Sequence, residues 1–189
     1  MGSFMMKAKV NKVHIHVAQG DLLAQDVSAF VYVTDPNLTL SPALAQRTGP
    51  SVEAACQEIG WCKVGSATVT TAGNLPFERI IHAVGARWGE GGERGKLANV
   101  TLACLRLAED HQLKSLAFPA ISTGTLGYPL EACARVMLEE IIDFTFENLR
   151  YLRSVILCLD SALAYDVFTS EFSRQVQVLQ TNGDGKVEV

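Results

Sequence analysis

Apolar and polar residues along the chain change period several times, and each change marks an element. Val13, Ile15 and Val17 alternate with His14 and His16, which predicts a strand with the histidines on its second face. A continuous apolar run over Ala29 to Val33 predicts a strand buried on both faces. From Ala43 to Ile59 the period becomes helical, with Val52, Ala55, Cys56 and Ile59 on one face and a break at Gly49-Pro50. Strands over Ser66 to Thr71 and Arg79 to Val84 flank the turn Gly73-Asn74-Leu75-Pro76. Leu97, Val100, Cys104, Leu107 and His111 then trace a helix face. The short apolar stretch from Ser115 to Ile121 predicts another buried strand, and Leu130, Ala134, Met137, Leu138 and Ile141 return to helical spacing. Val155 to Leu159 forms the last strand and Ala162 to Val178 the last helix. Residues 1–10 read as a loose arm or tag remnant, and residues 181–189, with Asn182-Gly183-Asp184-Gly185, as a frayed tail.

This alternation predicts one domain over residues 11–180, a mixed sheet with helices on both faces. In such sheets ligands gather at the carboxyl ends of strands. Asp21, Asp35, Asp160 and the segment Ile121-Ser122-Thr123-Gly124-Thr125-Leu126-Gly127-Tyr128-Pro129 all directly follow strand patterns. The last segment is a glycine-bearing turn between a strand and a helix, with Pro129 suited to the first helical turn. Such a turn presents free N–H groups at the positive end of a helix dipole, a site for an anion and most often a phosphate. It ends in neither Gly-Lys-Ser nor Gly-Lys-Thr and does not spell the dinucleotide fingerprint.

Composition narrows the classes. The 189 residues suffice for one sizeable core, 48% are apolar, and the formal net charge is −4. Without a Lys/Arg cluster, broad electrostatic binding to nucleic acid is not expected. No apolar run reaches membrane-spanning length and no basic-then-apolar leader opens the chain, so a soluble intracellular protein is expected, cytoplasmic or nuclear. Cys56, Cys62, Cys104, Cys133 and Cys158 form no Cys-x-x-Cys pair and read as reduced core residues. The histidines are scattered, so neither a metal site nor a catalytic cysteine is expected. The glycine-rich, charged stretch around Trp88, from Gly85 to Gly95, reads as a solvated surface loop, with a mobile flap near the ligand over Gly89-Glu90-Gly91-Gly92-Glu93-Arg94 as the other possibility.

Several segments, in order, resemble the macro domain, a family of ADP-ribose-binding α/β/α modules. They are Gly20-Asp21-Leu22, Thr48-Gly49-Pro50, Gly73-Asn74-Leu75-Pro76, Ile81-His82-Ala83-Val84-Gly85 with Trp88, and above all Ala117-Phe118-Pro119-Ala120-Ile121-Ser122-Thr123-Gly124 with Gly127-Tyr128-Pro129. The resemblance covers about residues 12–178 and implies a three-layer α/β/α fold around a central, mostly parallel twisted sheet. It also implies that Asp21, with Leu22 beside it, accepts a hydrogen bond from the adenine amino group. The backbone of Ser122, Thr123, Gly124, Thr125, Leu126 and Gly127 would cradle the pyrophosphate, with Tyr128, Leu159 and Asp160 completing the site. ADP-ribose or an ADP-ribosylated protein is the implied partner, with no cofactor.

The chain departs from the family pattern at the first loop. Hydrolases of the family carry Asn-Ala-Ala-Asn after the second strand and then a glycine loop ending in an acid. Here the stretch is Tyr32-Val33-Thr34-Asp35-Pro36-Asn37, with Tyr32 and Asp35 at the asparagine positions and a shortened, glycine-free loop to Pro42. Asp35 and Asn37 are candidate ribose-side residues, and a plain turn is the alternative. Leu159 stands where the family often places an aromatic over adenine, which costs about 0.5–1.5 kcal/mol of stacking. A similar departure, with Leu159-Asp160-Ser161 before a helix, is seen in the macro domain of a variant histone, a reader. The expected function is therefore binding of ADP-ribose without efficient hydrolysis and with no assigned catalytic residue. The alternatives are a hydrolase built around Asp35, and a degenerate module whose first loop has closed the pocket and which serves another nucleotide or a protein partner.

Overall fold

The computed structural model describes residues 5–189. Eight strands form one sheet: β1 (Met5–Val10), β2 (Val13–Gln19), β3 (Ala29–Thr34), β4 (Ala67–Thr70), β5 (Arg79–Val84), β6 (Ser115–Phe118), β7 (Ser154–Leu159) and β8 (Val187–Glu188). Their order across the sheet is β4-β5-β3-β6-β7-β2-β1-β8. The central five run parallel, β5-β3-β6-β7-β2, while β4, β1 and β8 pair antiparallel at the two edges. Five helices flank the sheet: α1 (Pro42–Thr48), α2 (Pro50–Ile59), α3 (Glu93–Asp110), α4 (Leu130–Phe144) and α5 (Ala162–Asn182).

Strand residues split by parity between two cores. Ile15, Val17, Val31, Ile81, Leu116 and Leu157 face α3, α4 and α5, where they meet Leu97, Cys104, Met137, Phe168 and Phe172. Their neighbours Phe30, Ile80 and Ala117 face the opposite side, with Leu44, Val52 and Cys56 of α1 and α2. This period of two, with apolar residues in both phases, is why the central strands read as continuous hydrophobic runs. The three layers of the expected fold are therefore present. The five cysteines are buried and unpaired.

Helix boundaries follow the local chemistry. Gly49, at φ 76°, ends α1 and starts α2, with Pro50 at the first position of the second helix. Ser41 caps α1 through Leu44 N at 3.2 Å, and Ser161 caps α5 through Ala164 N at 3.1 Å. Pro129 sits at the cap of α4 rather than within its first turn, so that helix begins without a side-chain acceptor for its leading N–H groups.

Both chain ends differ from expectation. Of the arm expected over residues 1–10, residues 1–4 lie outside the described residues, but Met5–Val10 is a strand. Met6, Ala8 and Val10 turn inward while Lys7 stays exposed, and the whole length pairs with β2. The expected tail is ordered too. Thr181 and Asn182 extend α5 to a left-handed Gly183 cap, and Val187–Glu188 pairs with β1. Asn11 ties the two ends together, its backbone N–H donating to Lys186 O at 2.7 Å and its side-chain oxygen accepting from Lys186 N at 3.0 Å. Long-range pairing gives these segments order that their local sequence does not signal.

Candidate functional site

A cleft of about 1230 Å³ opens at the carboxyl ends of β2, β3, β5, β6 and β7. That is where a parallel sheet leaves its ligand crevice. Of the expected site residues, Asp21, Leu22, Asp35, Ser122, Thr123, Gly124, Thr125, Leu126, Leu159 and Asp160 line it. Gly127, Tyr128 and Asn37 do not line it. Gly127, at φ 74°, closes the turn by donating to Gly124 O at 3.0 Å. Tyr128 is 4% exposed and supports the loop from beneath, its ring edge-on to Trp88 at 5.1 Å. Asn37 is exposed, and only its backbone N–H is engaged, donating to Asp35 Oδ1 at 2.9 Å.

Asp21 stands at one end of the cleft, held by the turn after β2. Its Oδ1 accepts from Leu23 N at 2.9 Å, which makes it the cap of a single 3-10 turn over Leu22–Ala24. Its carbonyl accepts from Gln25 Nε2 at 2.9 Å. The cap role leaves the second carboxylate oxygen without a protein donor among the described residues. Just behind it, Cys158 Sγ donates to Gly20 O at 3.4 Å. Burial, and then the charges of Asp21 and Asp160, push that thiol up to about 11. The thiol is therefore neutral packing at the cleft floor.

At the other end lies the turn after β6. Ser122 takes φ 67°, a left-handed conformation uncommon outside glycine. Its carbonyl accepts from Tyr128 N at 2.9 Å, and Thr123 Oγ1 donates to Ala120 O at 2.9 Å. These bonds fix the loop's ends. Between them the N–H groups of Gly124, Thr125 and Leu126 meet no protein acceptor among the described residues. Consecutive unpaired N–H groups beside the start of α4 make an anion-binding concavity.

Ser122 Oγ is buried without a partner and lies against Gly85, the first residue after β5. A Cβ at Gly85 would come within 2.1 Å of that oxygen and 3.4 Å of Leu126 Cδ1. Gly85→Ala should therefore displace the loop, costing about 2 kcal/mol of stability and weakening any ligand that the loop holds. Denaturant unfolding and titration of the variant check both parts; parent-like values in both would mean that the loop yields freely.

The first loop is short and knotted. Asp35 Oδ1 accepts three hydrogen bonds, from Asn37 N at 2.9 Å, Thr39 N at 3.2 Å and Thr39 Oγ1 at 3.1 Å. Thr34 Oγ1 donates to Thr39 O at 2.7 Å, and Ser41 N donates to Tyr32 Oη at 2.9 Å. Leu38, at φ 59°, plugs into the core beneath and is 2% exposed. Pro36, Thr39, Leu40 and Ser41 thus form one wall of the cleft and do not fill it. The two residues at the family's asparagine positions, Tyr32 and Asp35, are both engaged in holding this wall.

Gly85, Arg87 and Glu90, which in the sequence belong only to a resemblance segment and a surface loop, line the cleft. Position was the available signal, since Gly85 and Arg87 directly follow the strand pattern of β5. No group of three or more His, Cys, Asp or Glu side chains gathers in metal-binding geometry among the described residues.

Comparison with known proteins agrees with the architecture. The family model of the macro domain matches residues 37–137. An O-acetyl-ADP-ribose deacetylase of Enterobacter sp. (strain 638) is 37% identical over 159 residues, covering 79% of this chain and 88% of that protein. The Escherichia coli (strain K12) protein of the same name is 34% identical over 164 residues, with 82% and 93% covered. Among solved structures, the Oceanobacillus iheyensis macrodomain with ADP superimposes with a TM-score of 0.88 at 27% identity, covering 94% of this chain and all of that one. Strand-end cleft, glycine turn and family match converge: this chain belongs to the macro domain family.

Proposed function

We propose that the chain binds ADP-ribose, free or attached to protein, and hydrolyses its derivatives poorly. The observation that carries the binding half is the pairing within one open cleft of Asp21 with the unpaired N–H groups of Gly124, Thr125 and Leu126. An acceptor suited to an exocyclic amine at one end and a donor cluster suited to a diphosphate at the other match the two ends of an adenosine diphosphate. Asp160 and Leu159 provide the floor between them, Leu159 by apolar contact.

The knot around Asp35 supports the second half. Three hydrogen bonds to Asp35 Oδ1 fix that side chain as part of the cleft wall, so it is not free to swing toward a bound ligand. The competing reading is a hydrolase, favoured by the named activity of the relatives at 34–37% identity. Titration calorimetry with ADP-ribose separates binding from its absence. Asp21→Ala should weaken binding about tenfold by removing a charge-assisted hydrogen bond. Incubation with O-acetyl-ADP-ribose then tests turnover; steady release of acetate, lost in Asp35→Ala, would overturn the non-hydrolytic half. Among the described residues no helix is long and apolar enough to cross a membrane.

A further inference from the structure

Four carboxylates line the cleft, those of Asp21, Asp35, Glu90 and Asp160, and a single basic side chain, that of Arg87. A diphosphate entering this space meets a field that opposes it unless the one cation is brought to bear. The segment carrying Arg87 is fixed alongside the phosphate loop. Gly85 packs against Ser122 and Leu126, and Trp88 N donates to Leu126 O at 2.8 Å. The Trp88 ring rests edge-on against Tyr128 at an interplanar angle of 66°. Beyond it, Glu93 accepts from Gly89 N at 2.7 Å and from Gly91 N at 3.0 Å, while Lys96 Nζ donates to Gly91 O at 2.9 Å. The loop is solvated as expected, with residues 87–92 exposed, yet its backbone is pinned from both sides.

The Arg87 side chain is held far less firmly. Its Nε lies 3.5 Å from Glu90 Oε1, and both side chains are more than half exposed. An exposed ion pair of that kind holds a long side chain weakly. We propose that Arg87 is a specificity-determining residue of this site: it exchanges Glu90 for the diphosphate of the bound nucleotide, and Glu90 is the built-in competitor that holds it in the free protein. The proposal rests on the binding function above and deepens it. A guanidinium can offer two parallel N–H donors to phosphate oxygens. The backbone N–H groups supply the cradle, and among the described residues lining the cleft Arg87 supplies the only side-chain charge of the right sign. Ligands without a second phosphate would gain less from it, so the exchange favours diphosphates over monophosphates.

The test is calorimetric titration with ADP-ribose of the parent, Arg87→Gln, Arg87→Lys and Glu90→Gln, each at low and high salt. Arg87→Gln should bind about tenfold more weakly and lose most of the salt dependence. Arg87→Lys should recover part of the affinity and most of the salt dependence, a result that packing alone would not produce. Glu90→Gln should bind about threefold more tightly, because the competitor is gone. Binding by Arg87→Gln within about twofold of the parent, with the same salt dependence, overturns this inference and leaves the binding function standing. Failure of the parent to bind at all overturns both.

Discussion

Gly124→Glu is expected to abolish ADP-ribose binding while leaving the fold intact. A Cβ built at Gly124 meets nothing within 4 Å, and its φ is not in the left-handed range, so a side chain costs little there. That chain must extend into the cleft the residue lines. A carboxylate would occupy the space between the N–H donors and oppose an incoming diphosphate in charge as well as in volume. Like-charge contact in a partly enclosed site costs several kcal/mol, so a loss of more than about 100-fold is expected. Calorimetry reads the binding, and a thermal melt close to that of the parent shows that the core is untouched. A folded variant that still binds within about tenfold would remove the diphosphate from this loop altogether.

Stability should fall steeply as pH drops below neutrality, and His82 is the main reason. The side chain is fully buried in β5, with Nε2 2.8 Å from Thr70 Oγ1. Thr70 spends its one hydroxyl proton on Thr71 O at 2.8 Å, so Nε2 must be the donor and Nδ1 the bare nitrogen. Nδ1 has no partner, and protonating it would bury a charged N–H with no acceptor. Burial accordingly lowers the pKa from 6.5 to about 4. The folded value lies below the unfolded one, so the unfolded chain takes up a proton first. Above pH 6.5 the contribution is intact; between 6.5 and about 4 it drains away. The loss amounts to about 3 kcal/mol. Urea denaturation at pH 7.5 and 4.5 measures it. His82→Gln keeps a donor for Thr70 and does not titrate, so its unfolding free energy should lack this part of the slope. Equal slopes in the two chains would place the acid sensitivity elsewhere.

Much of this fold is visible in the local pattern, and the reasons differ by element. The α1–α2 break was legible because Gly49-Pro50 combines a residue free to take positive φ with one that cannot continue a helix. The central strands were legible because both faces are buried. β1 alternates correctly, Met6, Ala8 and Val10 against Lys7 and Lys9, but its strand character depends on a partner supplied by the next segment. β8 is two residues long and exists only because β1 offers it an edge. The turn over residues 121–129 could be read as a loop from its own residues. Its contact with Gly85 could not, since β5 and β6 are separated in the sheet by β3 and no periodicity reports which strand ends meet. Asp35 was readable both as a turn residue and as a ribose-side candidate, and it holds the turn while lining the cleft. The hydroxyl of Tyr32 reaching Ser41 had no local signature.

That knot also makes the two asparagine positions unequal in what they tolerate. At position 35 an asparagine would still present one carbonyl oxygen, enough to receive all three donors that now converge on Oδ1. At position 32 an asparagine is too short to replace a phenol that reaches Ser41 N across nine residues of chain. Asp35→Asn should therefore leave the wall standing, whereas Tyr32→Asn should release Ser41 and slacken it unless the loop is lengthened in the same step.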